Sequence, residues 1–257
     1  TGDIDIDVGL NSEVSGFSGI LANNLGIGDT SVVTGFGADV SGFLVGIGAS
    51  SLTGDTVVAT GFGSSTVAYG GSAIVAAAGD EARVTTRGQV RGIGEDYAAV
   101  VQIFSGNGAT YRNRGLVMSL DGNFEDAAGK LALNAKGGSI RIDNDGLLVG
   151  RVDLTDNNDR MRNDDAWLVL GTNDFGDGDD VLVNRGYLRT AFDDPNSDLT
   201  EFVSLETFVN TGILTMQDET TPLGFDVARD RTITDGDYIG LFDGILAIDA
   251  FLGQPGS

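Results

Sequence analysis

The chain has 257 residues and a formal charge of −23, from 38 acidic against 15 basic side chains. That field repels nucleic-acid phosphates and anionic lipid. The absence of histidine and cysteine excludes histidine-based triads, thiolate chemistry, disulfides and the commonest zinc ligands.

Glycine is abundant at 40 residues while proline is scarce at 3, and the glycines alternate with a 41% apolar content. This composition argues against a disordered low-complexity chain and predicts many short strands joined by tight turns.

At the N-terminus, Thr1 opens on nothing leader-like, and the chain reads as a piece of something longer. VSGF at Val14 returns at Val40, and GDTSVVTGFG (Gly28–Gly37) returns as GDTVVATGFG (Gly54–Gly63), 26 residues on. GDEARVTTRG from Gly79 and GNGATYRNRG from Gly106 keep the register of a Gly, an apolar residue five places on and a second Gly at nine.

The register then loosens into GGSIRIDNDG (Gly137–Gly146), DGDDVLVNRG (Asp177–Gly186) and SLETFVNTG (Ser204–Gly212). Between the first two of these, DNNDRMRNDDAW from Asp156 aligns with DGDDVLVNRGYL, 21 residues later. Met161 then lies over Leu182 and Asn163 over Asn184, which makes an extra short rung. Near the end, IGLFDGILAIDAFLG is broken by Asp243 and Asp249, so this segment is not expected to insert into a membrane.

A repeat of this period predicts an all-β solenoid, a parallel β-helix with rungs of about 20–30 residues. One rung cannot bury its own apolar face, but stacked rungs pile their apolar residues into continuous columns. In SIRIDND, Ile140 and Ile142 point one way and Arg141 and Asp143 the other. The whole chain, 1–257, reads as a single domain: Gly-rich rungs over 1–91, rungs with acidic turns over 92–225 and C-terminal rungs over 226–257. Strands about 4.8 Å apart would make a rod of about 50 Å. Gly37, Gly63, Gly88 and Gly115 are predicted to stand in one vertical file.

From the fourth rung a corner recurs as Asn113-Arg-Gly115, Asn144-Asp-Gly146, Asn184-Arg-Gly186 and Asn210-Thr-Gly212, with Thr86-Arg87-Gly88 as a variant. Glycine supplies positive φ for a sharp turn, and stacked asparagines bond amide to amide up the rod. These residues are read as structural.

The acidic loop TNDFGDGDDVLVN offers Asp174, Asp177, Asp179 and Asp180 as oxygen donors among permissive glycines, a composition suited to calcium. Asp177, Asp179 and Asp180 are the candidate metal ligands; the bland alternative is a solvated turn, and no other cofactor is expected. Asp156, Asp159, Asp164, Asp165, Asp177 and Asp180 could face one side of neighbouring rungs, where a carboxylate pair would cleave a polysaccharide. Arg83, Arg87, Arg91, Arg112 and Arg114 form a basic concentration suited either to an anionic glycan or to pairing with Asp80, Glu81 and Glu95. Trp167 is placed either against a sugar or in the core.

GNGATYRNRGLV, GDGDDVLVNRGYL and LETFVNTGILTM resemble the rungs of passenger domains of monomeric autotransporters of Gram-negative bacteria. RTITDGDYIGLFDGILAIDAFLGQPGS resembles the end of such passengers. GDTSVVTGFGADVSGFLVGIGASS also looks like the head repeats of trimeric autotransporter adhesins, but those are about half as long as the step seen here.

The passenger resemblance implies a right-handed parallel β-helix exported through the periplasm to the bacterial cell surface. It implies no catalysis, a role as stalk, adhesion or self-association scaffold, and neighbours in the same chain that include a C-terminal outer-membrane barrel. Surface glycans, surface proteins or further copies of itself are the expected contacts. The competing readings are a polysaccharide-active enzyme and a calcium-stabilised surface layer or filament.

Overall fold

The computed structural model describes residues 2–120, 123–192, 199–216 and 230–247. They coil into a parallel β-solenoid of about eight turns. One side is a ten-stranded parallel sheet that starts with Ile4–Val8, Thr30–Thr34, Thr56–Ala59 and Glu81–Thr86 and ends with Asp237–Gly240. A seventeen-stranded sheet wraps the other two sides. In the first two rungs its strands, Glu13–Asn24 and Asp39–Ser51, run unbroken round the intervening bend. Later rungs split it into two short strands, such as Gln89–Gly92 and Val101–Ser105.

The core follows from register. On the ten-stranded side, Ile6, Val32, Val58, Val84, Tyr111, Ile142, Met161, Leu182, Phe208 and Tyr238 are consecutive partners in one column. A second column runs Val14, Val40, Thr66, Val90, Val117, Leu148, Trp167, Leu188, Leu214 and Leu246. Period-two alternation sends every other side chain inward, and burying these stacked apolar faces is the main stabilising term.

The extra short rung stacks as aligned, with Met161 on Leu182 and Asn163 on Asn184. The small helix Phe124–Ala128, capped by Asn123, packs outside this core. It covers a separate apolar cluster of Met118, Val149 and Phe192.

The predicted glycine file divides. Gly37 donates its N–H to Phe62 O, so Gly37 sits over Gly63, and both adopt positive φ (+64° and +67°). Gly88, however, lies over Ser64: the corner between Thr86 and Gln89 holds two residues, where that between Thr60 and Ser65 holds four. From Gly88 the file continues through Gly115 and Gly146, passes Asp165, and resumes at Gly186 and Gly212. Residues 248–257 of the C-terminal stretch lie outside the described residues, as does Thr1.

Candidate functional site

The Asn-x-Gly corner is the junction between the ten-stranded side and the next. Its asparagines are fully buried and bond in series: Asn113 Nδ2 to Asn144 Oδ1 (2.8 Å), Asn144 to Asn163 (2.7 Å), Asn163 to Asn184 (2.7 Å) and Asn184 to Asn210 (2.8 Å). Thr86 Oγ1 donates to Asn113 Oδ1 at one end, and Asn210 reaches the Tyr238 hydroxyl at the other. Each amide from Asn144 to Asn210 also donates to a carbonyl of the next rung, those of Ala166, Tyr187, Ile213 and Ile245 in turn. The four predicted ladder residues are therefore joined by Asn163. Its corner reads Asn-Asp-Asp, and the alignment of Met161 with Leu182 and of Asn163 with Asn184 marks it.

The corner glycines are there for a different reason from the one read in the sequence. Gly115, Gly146, Gly186 and Gly212 do not have positive φ. A Cβ on them would stand 2.0, 2.4, 2.0 and 2.2 Å from the carbonyl oxygen of the residue one rung back. Close stacking of backbone on backbone, rather than φ, selects glycine here.

The candidate carboxylates separate. Asp180 turns inward and is fully buried, while Asp174, Asp177 and Asp179 stay exposed. Among the described residues, no group of three or more His, Cys, Asp or Glu side chains is placed to hold a metal ion. Asp177, Asp179 and Asp180 thus do not converge as calcium ligands.

Asp180 instead belongs to a stacked column with Asp159, which is also buried, and Glu206, which is exposed. Each of the three accepts the backbone N–H of the rung before it, from Ile140, Asp159 and Asp180 in turn. Asp159 also accepts the N–H and hydroxyl of Thr155. The second carboxyl oxygen of Asp180 is buried without a hydrogen-bond partner among the described residues. Burial, with the charges of Asp159, Glu206 and Asp179 added, pushes the Asp180 carboxyl up to about 7 despite the Asp159 N–H. Burial also raises Asp159, which its backbone donors only partly offset.

The six acids weighed for sugar cleavage do not share a face. Asp156 and Asp177 precede the strands Arg160–Asn163 and Val181–Asn184, while Asp164 and Asp165 follow the first of them. Asp159 and Asp180 point into the rod.

On the outer face of the ten-stranded sheet, charge concentrates on the middle rungs. Arg112, Arg141 and Arg162 surround Asp143 at 3.3, 3.1 and 3.3 Å. Burial pushes Asp143 up, but the hydrogen bond from Arg141 and the three positive charges outweigh it and hold the carboxyl below its usual range. Arg112 and Arg114 also reach Asp145, and Arg162 reaches Asp164. Arg83 pairs with Asp55 and Glu81, whereas Glu95 takes Lys130, so the pairing of the arginine concentration matches the sequence reading only in part. Trp167 is fully buried, with Nε1 donating to Gly150 O and its ring 5.7 Å from Phe202, which makes it a core residue.

The first rungs present a surface that was not singled out from the sequence. Phe17 and Phe43 stack at 5.7 Å and Phe36 and Phe62 at 6.3 Å, each ring more than half exposed. Leu10 precedes the second pair on its corner, and Tyr69 follows the first on the other. Residues 14–79 carry Asp29, Asp39 and Asp55 and no basic residue. Doublets such as GFG at matching places in consecutive repeats were the available signal.

No protein-family model, curated protein or solved structure matches this chain.

Proposed function

We propose that this chain is the rod of a secreted bacterial surface protein, a non-catalytic scaffold of the autotransporter-passenger kind. It holds a functional tip away from the membrane and displays side chains for adhesion or self-association. The reading rests on the unbroken stack: ten parallel strands share one sheet, and the apolar columns inside it run from rung to rung. Such a coil is stiff along its axis because each rung is hydrogen-bonded to its neighbours, while the outward positions vary freely.

The resemblance of GNGATYRNRGLV and of the C-terminal stretch to passenger rungs supplies the export route, through the periplasm to the cell surface. It also supplies the expected neighbours in the same chain, including an outer-membrane barrel. The exposed aromatic pairs of the first rungs support self-association, since a low-charge apolar surface lets copies of a strongly acidic chain approach.

Labelling intact native cells with antibodies to this chain, followed by protease shaving, tests the location. Surface label lost on shaving is the expected result, and label seen only after lysis overturns the reading. Release of reducing ends from polysaccharides by the purified chain, abolished in Asp177→Asn or Asp180→Asn, would overturn the non-catalytic part.

A further inference from the structure

A groove of about 350 Å³ lies on the outer side of the ten-stranded sheet and crosses four successive rungs. Its floor is low at Gly108, which lacks a side chain where its register partner in the preceding rung carries Glu81, while Ala82 and Ala109 beside it face the core. Arg141 and Arg160 stand over it as direct register partners, so two guanidinium groups project side by side from adjacent strands. Like charges placed opposite each other on a sheet are destabilising unless something neutralises them.

Arg141 has Asp143, at 3.1 Å. Arg160 is exposed and has no ion pair among the described residues, although Arg112, Arg114 and Arg162 nearby all do. Asn107, Ser139 and Asn158 form the remaining polar rim. The two ends are acidic: Glu81 lines one, and Asp179, whose N–H binds Asn158 Oδ1, lies beyond the other.

We propose that this groove binds an acidic saccharide, with one carboxylate-bearing sugar on Arg160 and Arg141 and neutral sugars running along the rod to either side. A planar guanidinium fork recognises a carboxylate through two parallel hydrogen bonds. The acidic ends accept hydrogen bonds from sugar hydroxyls and repel a continuous polyanion, which disfavours nucleic acid and selects a ligand charged at one point. The rung spacing of about 4.8 Å is close to the length of one sugar unit, so successive rungs can address successive sugars. The inference gives the adhesive surface proposed above a ligand class and rests on that reading for its biological meaning. Binding itself is measured on the purified chain, so its failure leaves the cell-surface result untouched.

The test is calorimetric titration with a xylo-oligosaccharide bearing a single glucuronate, beside the unsubstituted oligosaccharide and inorganic sulfate. The acidic oligosaccharide is expected to bind, with both controls at least about tenfold weaker. Arg160→Gln should weaken it by about tenfold or more and Arg160→Lys by less, while Arg185→Gln, exposed and outside the groove, leaves it unchanged. Because Arg160 is exposed, its variants should melt like the parent protein. Equal binding of the neutral oligosaccharide, sulfate binding as tight as the acidic sugar, no binding at all, or unaltered affinity in Arg160→Gln would each overturn the proposal.

Discussion

The rungs before Gly92 and those from Asn113 onward make the same coil but secure the same corner differently. In the first set, threonines occupy the column: Thr34 Oγ1 accepts Gly61 N–H at 3.1 Å, and Thr60 Oγ1 accepts Arg87 N–H at 3.0 Å. Each hydroxyl closes one bond to the next backbone. In the second set, asparagines replace them and bond to one another, so neighbouring side chains are coupled in series. Thr86 joins the two systems, with its hydroxyl on Asn113 Oδ1 and 3.3 Å from the buried Tyr111 hydroxyl.

The difference tracks the regularity of the repeat. Across the threonine bonds the separations are uniform, at 27 residues. Across the asparagine ladder they are 31, 19, 21 and 26 residues, yet the amides remain in contact. A chain whose rungs vary this much needs one place where register is fixed, and a buried amide column supplies it. A slip would leave several buried donors and acceptors unpaired at once. The interior differs as well, with Val, Ala and Ile filling the first rungs and an aromatic run of Trp167, Phe175, Phe202 and Phe208 filling the later ones.

The largest expected effect breaks the ladder itself. Asn163→Ala should cost about 4 kcal/mol in urea unfolding, because the Asn144 donor and the Asn184 acceptor both lose their partner inside the rod. A cost below about 1 kcal/mol would make the ladder incidental. Gly186→Ala should cost up to about 3 kcal/mol, since the new Cβ meets the Asp165 carbonyl.

Asp180→Asn should do the opposite and stabilise the protein at pH 8 by about 2 kcal/mol, because it removes a buried, poorly satisfied charge. The parent binds a proton at Asp180 more tightly when folded, its carboxyl lying at about 7 against an ordinary 3.8. That contribution to stability is full below about pH 4 and is lost as pH rises toward 7. Melting temperatures across this range should show the variant less dependent on pH; a parallel pH profile would remove Asp180 as the cause.

The smallest effects belong to the N-terminal rungs. Thr60→Val should cost about 1 kcal/mol, for one hydrogen bond to Arg87 N–H. Gly63→Ala should also cost about 1 kcal/mol: its φ is +67° but its surroundings are open, so only backbone strain is paid.

The coil, the inward alternation and four of the five ladder asparagines were legible because they repeat, and repetition survives without knowledge of contacts. Asn163 was aligned over Asn184, but Asp165 in place of the corner glycine kept it out of the Asn-x-Gly motif. The reason for the glycines was misread, because a carbonyl one rung away leaves no mark in local sequence, whereas positive φ is a habit of glycine everywhere. Asp180 looked like its exposed neighbours Asp177 and Asp179 because an aspartate turned inward to cap a backbone N–H has the same letter as one turned to water. Its place two residues before Leu182, in register with the inward column, was the available clue.

The most direct test of the account is disulfide formation between paired cysteines, since the chain has none of its own. Three register pairs on the outer face span unequal stretches of chain: Ser31 with Val57, Thr110 with Arg141, and Arg141 with Arg160. Each double-cysteine variant should close its bond under mild oxidation, while partners displaced by two residues, such as Ser31 with Ala59, should not. Closure that followed one constant 26-residue spacing through the later rungs, or closure as ready in the displaced pairs as in the matched ones, would contradict a register held by the asparagine column.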